Sequence, residues 1–411
     1  MKNWAGNITF NAAKIERPTR VEEIQDIVRR ADKLRVVGSG HSFNTIADTD
    51  GTLITLADMP RAIRVDPTTK TITTGGGITY ARILPALAES GLGLATGASL
   101  PHITIAGATA TSTHGSGDAN QNLSAAVSAL TFVRADGEIV KLQRGDADFD
   151  GAVVNLGALG VVVDITLDTV PAYDIAQTVF TGLPVSTALA EFDAITSSAY
   201  SVSMFTRWNS TNVDQLWQKA LSATYTPAQH AFGASLAAHA LHPIAEFDGT
   251  TCTQQGGIAG SWGERIFHFP ASATPSAGNE LQSEFYVDRK NAVAAFAALY
   301  AIQQQFNHTL YVSEIRTMAA DTLWMSGAYG RDTVGFHFTW KPDAAAVSTA
   351  VDIIEATLAP FEPRPHWAKV FNMAPTVVQS RYPKLAEFKQ LANRFDPDGK
   401  FRNSYLTKLL F

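Results

Sequence analysis

From Gly97 to Gly117 the chain carries few bulky side chains; glycine, alanine, serine and threonine dominate a stretch that ends Thr113-His114-Gly115-Ser116-Gly117. Hydroxyls and backbone groups are what such a segment offers, which suits close wrapping around a large, flat, phosphate-bearing ligand. A shorter loop of the same character precedes it, Val36-Val37-Gly38-Ser39-Gly40-His41-Ser42-Phe43-Asn44. Glycines directly after a strand let successive backbone N–H groups converge on an anion such as a diphosphate. On the residues alone, two Gly-rich turns in a tightly packed sheet domain explain both segments equally well.

The surrounding pattern is that of a mixed α+β chain. Residues 19–33 read as an amphipathic helix, with Val21, Ile24, Val28 and Ala31 on one face and Pro18 ahead of it. Leu34 to Val37 reads as the strand that enters the first loop. Leu53 to Leu56, Arg61 to Val65 and Thr71 to Thr74 read as further strands, and Tyr80 to Ser90 as a helix. Ala129 to Arg134 and Glu138 to Leu142 flank Ala135-Asp136-Gly137, a hairpin signal. Val161 to Leu167 is another strand candidate. Near Pro171 the composition turns more aromatic, which places a domain boundary at residue 172. A last helix, Lys384 to Phe395, ends at Asp396-Pro397-Asp398-Gly399.

At 411 residues, with 45% apolar and 17% charged residues, the chain can bury a core large enough to enclose a cofactor. A net charge of −6 gives no general affinity for nucleic acid or an acidic membrane. A lone cysteine, Cys252, excludes a disulfide framework and a thiolate zinc site. The start MKNWAGNITF lacks the apolar stretch of a signal peptide, and Gly151 to Leu167, broken by Asn155 and Asp164, reads as core. A soluble, cytoplasmic enzyme is the expectation, with a monomer, no metal, no membrane and no nucleic acid. Phe43 interrupts the dinucleotide fingerprint begun by Gly38 and Gly40, and neither a phosphate-loop lysine motif nor a nucleophile elbow occurs. His239 and His242 read as helix histidines.

Three later segments read as strands. Tyr311 to Arg316 puts Glu314 and Arg316 on one face. Gly335 to Trp340 puts His337 and Thr339 on one face and Phe336, Phe338 and Trp340 on the other. His366 to Val370 carries Lys369 in apolar and aromatic company, and Leu281-Gln282-Ser283 presents Gln282. A sheet with one wet face gives the same alternation.

The pair GSGHSF and GASLPHITIAGATATSTHGSG, with the ending FDPDGKFRNSYL, resembles the vanillyl-alcohol-oxidase-type flavoproteins and, more closely, the alditol oxidases. The resemblance runs almost the whole chain. It implies a two-domain α+β flavoprotein: an FAD-binding domain at 1–172, a cap over the isoalloxazine at 173–372, and a C-terminal segment, 373–411, returning to the FAD domain. It implies FAD bound covalently through His41, by a single bond, since Cys252 falls in the expected cap. Carried over by position, the FAD contacts are Val37, Gly38, Ser39, Gly40, His41, Ser42, Ser99, Thr104, Gly107, Thr111, Ser112, Thr113, His114 and Val162. The polyol positions are Ser99, Glu314, Arg316, Thr339 and Lys369, with Gln282 and His337 beside them, and Arg316 and Lys369 are the catalytic pair. Ala98 stands where the family gates oxygen. The reaction implied is oxidation of a polyol hydroxyl at C1, as in xylitol or sorbitol, with dioxygen reduced to hydrogen peroxide. A sugar-lactone oxidase or dehydrogenase of the same fold, or a flavin-binding module without turnover, are the alternatives.

Overall fold

The computed structural model describes residues 1–222, 226–273 and 279–411. Its first part holds two small sheets besides a short pairing of Leu92–Gly93 with Val170–Pro171. Lys14–Glu16, Thr52–Thr55 and Leu34–Val37 form a parallel sheet, and Ile63–Asp66, Thr71–Gly75, Val161–Asp168, Val127–Val133 and Ile139–Gln143 an antiparallel one. Between them lies a core of Ile24, Ile27, Val28, Leu34, Ile54, Val133, Val161 and Phe401. The helix expected over 19–33 spans Val21–Arg30, because Ala31 turns extended. The hairpin around Ala135-Asp136-Gly137 forms, with Gly137 at φ +82°. Inside the long small-residue segment a short helix, Ile105–Ala110, interrupts what otherwise is loop.

From Asp174 onward the chain builds a ten-stranded sheet. Its centre runs Ser201–Thr206, Leu310–Met318, Thr333–Trp340 and Leu281–Asp288, all antiparallel. Phe336, Phe338 and Trp340, with Leu281, Phe285 and Val287, fill the back face. The helices Ala292–Ala301 and Ala344–Leu358 contribute Ala295, Phe296, Val351 and Ile354 to the same core. Among the described residues one helical stretch, Ala344–Phe361, is long and apolar enough to cross a membrane; Val347, Ala350, Val351, Ile354 and Leu358 along it are buried in this core. The opposite face of the sheet looks toward the two small-residue loops. Two sequence expectations fail here. His366 to Val370 is a turn, not a strand: after Arg364–Pro365 His366 N still donates to Glu284 O at 3.0 Å, but the chain then bends so that Lys369 N donates to His366 O at 3.1 Å before Val370 N returns to Gln282 O at 2.8 Å. His239 and His242 lie in irregular chain rather than a helix, with Pro243 directly after His242 opposing helical geometry.

The C-terminal helices Leu385–Phe395 and Ser404–Leu409 pack on the first part through Phe388, Leu391, Phe395, Leu406 and Leu409. Arg35 ties these pieces together. Its buried guanidinium donates to Gly157 O at 2.8 Å, Phe401 O at 2.8 Å and Leu156 O at 2.9 Å, and also to Ile46 O. Burial lowers its pKa to about 10, which leaves it charged at neutral pH. Arg35→Met strips four carbonyls of a charged donor, so unfolding free energy is expected to fall by about 3 kcal/mol. A thermal melt checks this, and an unchanged transition would show that the four bonds contribute nothing net.

Candidate active site

A cavity of about 470 Å³ lies between the loops and the wet face of the large sheet. Glycines bring its two loops together. A Cβ at Gly38 would stand 2.1 Å from Thr104 Oγ1 and one at Gly107 would stand 2.8 Å from it, so Thr104 occupies room that only glycine leaves. A Cβ at Gly76 would stand 2.0 Å from Val162 O. The cavity is lined by the expected Val37, Gly38, Ser39, Gly40, His41 and Ser42, by Ser99, Thr104, Gly107, Thr111, Thr113 and His114, and by Val162. Ala98 lines it too. Ser112 does not. Its hydroxyl sits in a buried network, accepting from Asn122 Nδ2 at 3.1 Å and Gly327 N at 3.2 Å. Cys252 is buried in the cap among Phe205, Trp217 and Ile244 and is not a lining residue.

His41 lines the cavity with both ring nitrogens buried and without a well-formed hydrogen bond, only the Ser39 carbonyl standing close enough to favour a ring proton. Burial pushes its pKa down to about 4, so the ring is neutral at physiological pH. Two glycine-held loops and an orphan imidazole on one cavity fit a flavin with its diphosphate.

The opposite wall is set by strand register. Phe205, Glu314, His337 and Glu284 form one row across four strands. Ser203, Arg316, Gly335 and Tyr286 form the next, and Val312, Thr339 and Gln282 another. Gly335 leaves the space through which Arg316 reaches a neighbouring row; a Cβ there would stand 3.1 Å from Glu284 Oε1. Arg316 donates to that oxygen at 3.3 Å, His114 Nε2 lies 2.8 Å from it, and Lys369 Nζ donates to Oε2 at 2.7 Å. Burial alone would raise the Glu284 carboxyl, but Lys369, His114 and Arg316 hold it well below the usual carboxylate range. His114 also places Nδ1 2.8 Å from Gly115 O; two acceptors favour the doubly protonated ring, and burial opposes it. Lys369 is lowered by burial and by Arg316, against the pull of Glu284.

Glu314 accepts from His268 Nε2 at 2.9 Å and lies 3.4 Å from Arg316 Nε, and these groups hold its carboxyl low against the upward effect of burial. Arg316 also donates to Ser99 Oγ at 3.3 Å. His337 Nε2 donates to Gln282 Oε1 at 3.1 Å. Its Nδ1 is buried without a partner, and burial followed by Lys369 keeps the ring neutral. All seven residues expected at the polyol site therefore border one cavity.

The sequence reading missed Glu284 and His268. Glu284 was within reach of the same alternation, since Gln282, Glu284 and Tyr286 share a face while Leu281, Phe285 and Val287 enter the core. His268 lies in a strap with no periodicity. Lys219, buried on Asn212–Leu221, donates to Arg265 O at 2.6 Å and to Ile266 O and Phe267 O at 2.7 Å, fixing the strap, and His268 N donates to Ser99 O at 2.8 Å. Glu284→Gln leaves Lys369 without its counter-charge and Arg316 with Glu314 alone, and stability at pH 7 is expected to fall by about 2 kcal/mol. A depressed folded pKa contributes stability above the unfolded carboxyl value, near 4.3, and that contribution is lost as pH falls toward the folded value. The gap to the wild type should therefore be full at pH 6 to 7 and narrow below about pH 4, which melts across pH would reveal.

Comparison with known proteins agrees with this geometry. A family model described as an FAD binding domain matches residues 12–143, and one described as D-arabinono-1,4-lactone oxidase matches residues 277–409. An alditol oxidase from Streptomyces sp. is 44% identical over 411 residues, covering 99% of this chain and 98% of that protein. An L-gulono-1,4-lactone dehydrogenase from Mycobacterium tuberculosis is 29% identical over 429 residues, covering 99% of this chain and 98% of that protein. Among solved structures, a solvent-stable cholesterol oxidase superposes with a TM-score of 0.81 at 17% identity, covering 100% of this chain and 97% of that chain, which speaks for the fold alone. With two small-residue loops on one cavity, a cap sheet facing them and full-length identity of this order, the chain belongs to the alditol oxidase family of FAD-binding, vanillyl-alcohol-oxidase-type flavoproteins.

Proposed function

We propose that this chain is an FAD-dependent oxidase of the C1 hydroxyl of small alditols such as xylitol and sorbitol. The observation that carries the reading is the convergence of Arg316 and Lys369 on one buried carboxylate, Glu284, across a cavity whose far wall is the two glycine-rich loops. The full-length similarity to the Streptomyces alditol oxidase supports it. In this reading residues 1–172 and 373–411 serve FAD, and 173–372 serve the substrate. FAD, held between the loops of Gly38 to Ser42 and Ser99 to His114, would supply the redox chemistry, accepting hydride from the substrate C1 and returning two electrons to dioxygen as hydrogen peroxide. The enzyme is a cytoplasmic monomer that engages neither membrane nor nucleic acid.

A polyol is uncharged and rich in hydroxyls, so its site needs fixed donors and acceptors. Glu314 accepts hydroxyl protons, His337 Nδ1 offers an unused acceptor, and Thr339, Ser99 and Gln282 complete the set. Loss of hydride requires alkoxide character at the C1 oxygen. Arg316, kept charged by Glu314 and Glu284 despite burial, stabilises that charge. Lys369, with its pKa lowered, takes the hydroxyl proton and remains bonded to Glu284. A base works deprotonated, so flavin reduction should quicken with rising pH through a limb below the ordinary lysine range.

Anaerobic mixing with xylitol, followed at the flavin absorbance band, tests this. Lys369→Met should keep FAD yet slow saturating reduction by on the order of 100-fold and abolish the pH limb. Glu314→Gln should weaken apparent binding more than the saturating rate. Reduction of the Lys369→Met protein at wild-type speed would remove Lys369 from the mechanism. A second reading, a sugar-lactone oxidase, is favoured by the family model over residues 277–409. Peroxide formed from a lactone and not from xylitol or sorbitol would establish it.

His41 is the proposed attachment point for the flavin 8α-methyl, because its neutral imidazole lines the cavity with no well-formed hydrogen bond on either nitrogen. After acid precipitation the yellow colour should stay with the wild-type protein, and with His41→Ala it should pass to the supernatant. Free FAD from the wild type would refute the linkage.

A further inference from the structure

The N-terminal segment grips the first loop on both sides of His41 and makes no hydrogen bond to the His41 ring itself. Trp4 N donates to Gly40 O at 2.8 Å, Asn3 Nδ2 donates to Ser42 O at 2.9 Å, and Asn7 Nδ2 donates to Phe43 O at 3.2 Å. Asn3 and Asn7 are themselves joined, Nδ2 to Oδ1 at 2.6 Å, and Ile8 N donates to Asn3 Oδ1 at 3.0 Å. Gly40 adopts φ +71°, a backbone conformation that residues with a Cβ rarely take, and this turn points its carbonyl at Trp4 N.

So anchored, the Trp4 ring lies over the His41 ring, with centroids 4.5 Å apart and planes 17° apart, and meets Phe43 edge-on at 6.4 Å and 85°. Among the described residues no other aromatic ring is stacked on His41, and neither imidazole nitrogen makes a well-formed hydrogen bond, the Ser39 carbonyl alone standing close enough to favour a ring proton. Buried histidines are ordinarily oriented by a hydrogen bond on one nitrogen. Here the ring plane is fixed by stacking, which holds an aromatic ring while leaving its edge open.

We propose that Trp4 is a positioning residue for His41, holding the imidazole by its face so that a nitrogen is presented to the 8α-carbon of FAD. This rests on the reading of His41 given above. In the attachment one C–H bond of the methyl and one imidazole N–H are exchanged for a C–N bond. Two protons and two electrons leave, and dioxygen, the oxidant of the proposed reaction, accepts them as hydrogen peroxide. The contribution of Trp4 is orientation, and a ring free to rotate attacks from a wider range of angles.

The test uses the full-length chain prepared without flavin, then given FAD in air, with covalent attachment read as flavin fluorescence remaining on the denatured protein. Trp4→Leu keeps an apolar side chain but has no ring face, and Trp4→Phe keeps a face. Attachment should slow by about tenfold or more in Trp4→Leu and stay within about twofold of wild type in Trp4→Phe. Melting temperature and non-covalent FAD affinity should be unchanged in both. Attachment by Trp4→Leu at the wild-type rate would overturn the proposal. So would equal slowing in both variants, or a loss of FAD affinity or melting temperature that accounts for the slowing, since either would assign Trp4 a merely structural role. A wild-type chain that attaches no flavin would instead remove the His41 linkage, and this proposal with it.

Discussion

The buried Glu284 carboxylate is the contact on which the site depends. It joins three parts of the chain that have no local reason to meet: His114 at the end of the second loop, Arg316 on the large sheet, and Lys369 on the turn after Pro365. A charge with no exposed surface is tolerable only when opposite charges and donors surround it, and removing one of them leaves the others uncompensated. The cluster therefore holds the cap sheet at a defined distance from the loops, and it does so at the cavity wall where polarising groups are wanted. It also gives Lys369 and Arg316 different characters. Burial lowers the lysine, while two carboxylates keep the guanidinium charged.

The loops on the other side work by absence. Thr104 fits against Gly38 and Gly107 because neither carries a Cβ, and Val162 O approaches Gly76 for the same reason. Backbone approaches that close leave the loops little freedom, so His41 is delivered to the cavity by a rigid support rather than a mobile tip. The N-terminal segment reinforces this by bonding to carbonyls on both sides of His41. At the far wall His268 plays a comparable part for Glu314, with Lys219 fixing the strap that carries it.

Much of this was legible from residue order. Period-two alternation assigned Phe336, Phe338 and Trp340 to a core and His337 and Thr339 to the opposite face, because a pleated strand admits no other arrangement. The same logic reached Gln282 and could have reached Glu284. It misassigned His366 to Val370, where apolar company around Lys369 looks like a strand but the chain bends back on His366. It placed Ser112 with the cofactor, whereas its hydroxyl is engaged with Asn122 and Gly327.

By itself, then, the sequence determined which side chains share a face, where the backbone can approach without a Cβ, and which residue types stand ready for polar chemistry, since each of these follows from local geometry. Partnership was decided by the tertiary structure. Leu281–Asp288 pairs with Thr333–Trp340 and not with Leu310–Met318, so Gly335 falls between Arg316 and the strand bearing Glu284 and lets the two meet. Strands separated by long connections carry no local record of order or register; these emerge only when the hydrophobic faces of all of them are buried together. The protonation of Lys369, Glu284 and His41 follows from the same assembly, because burial and neighbouring charge, which set a pKa, exist only once the fold is complete.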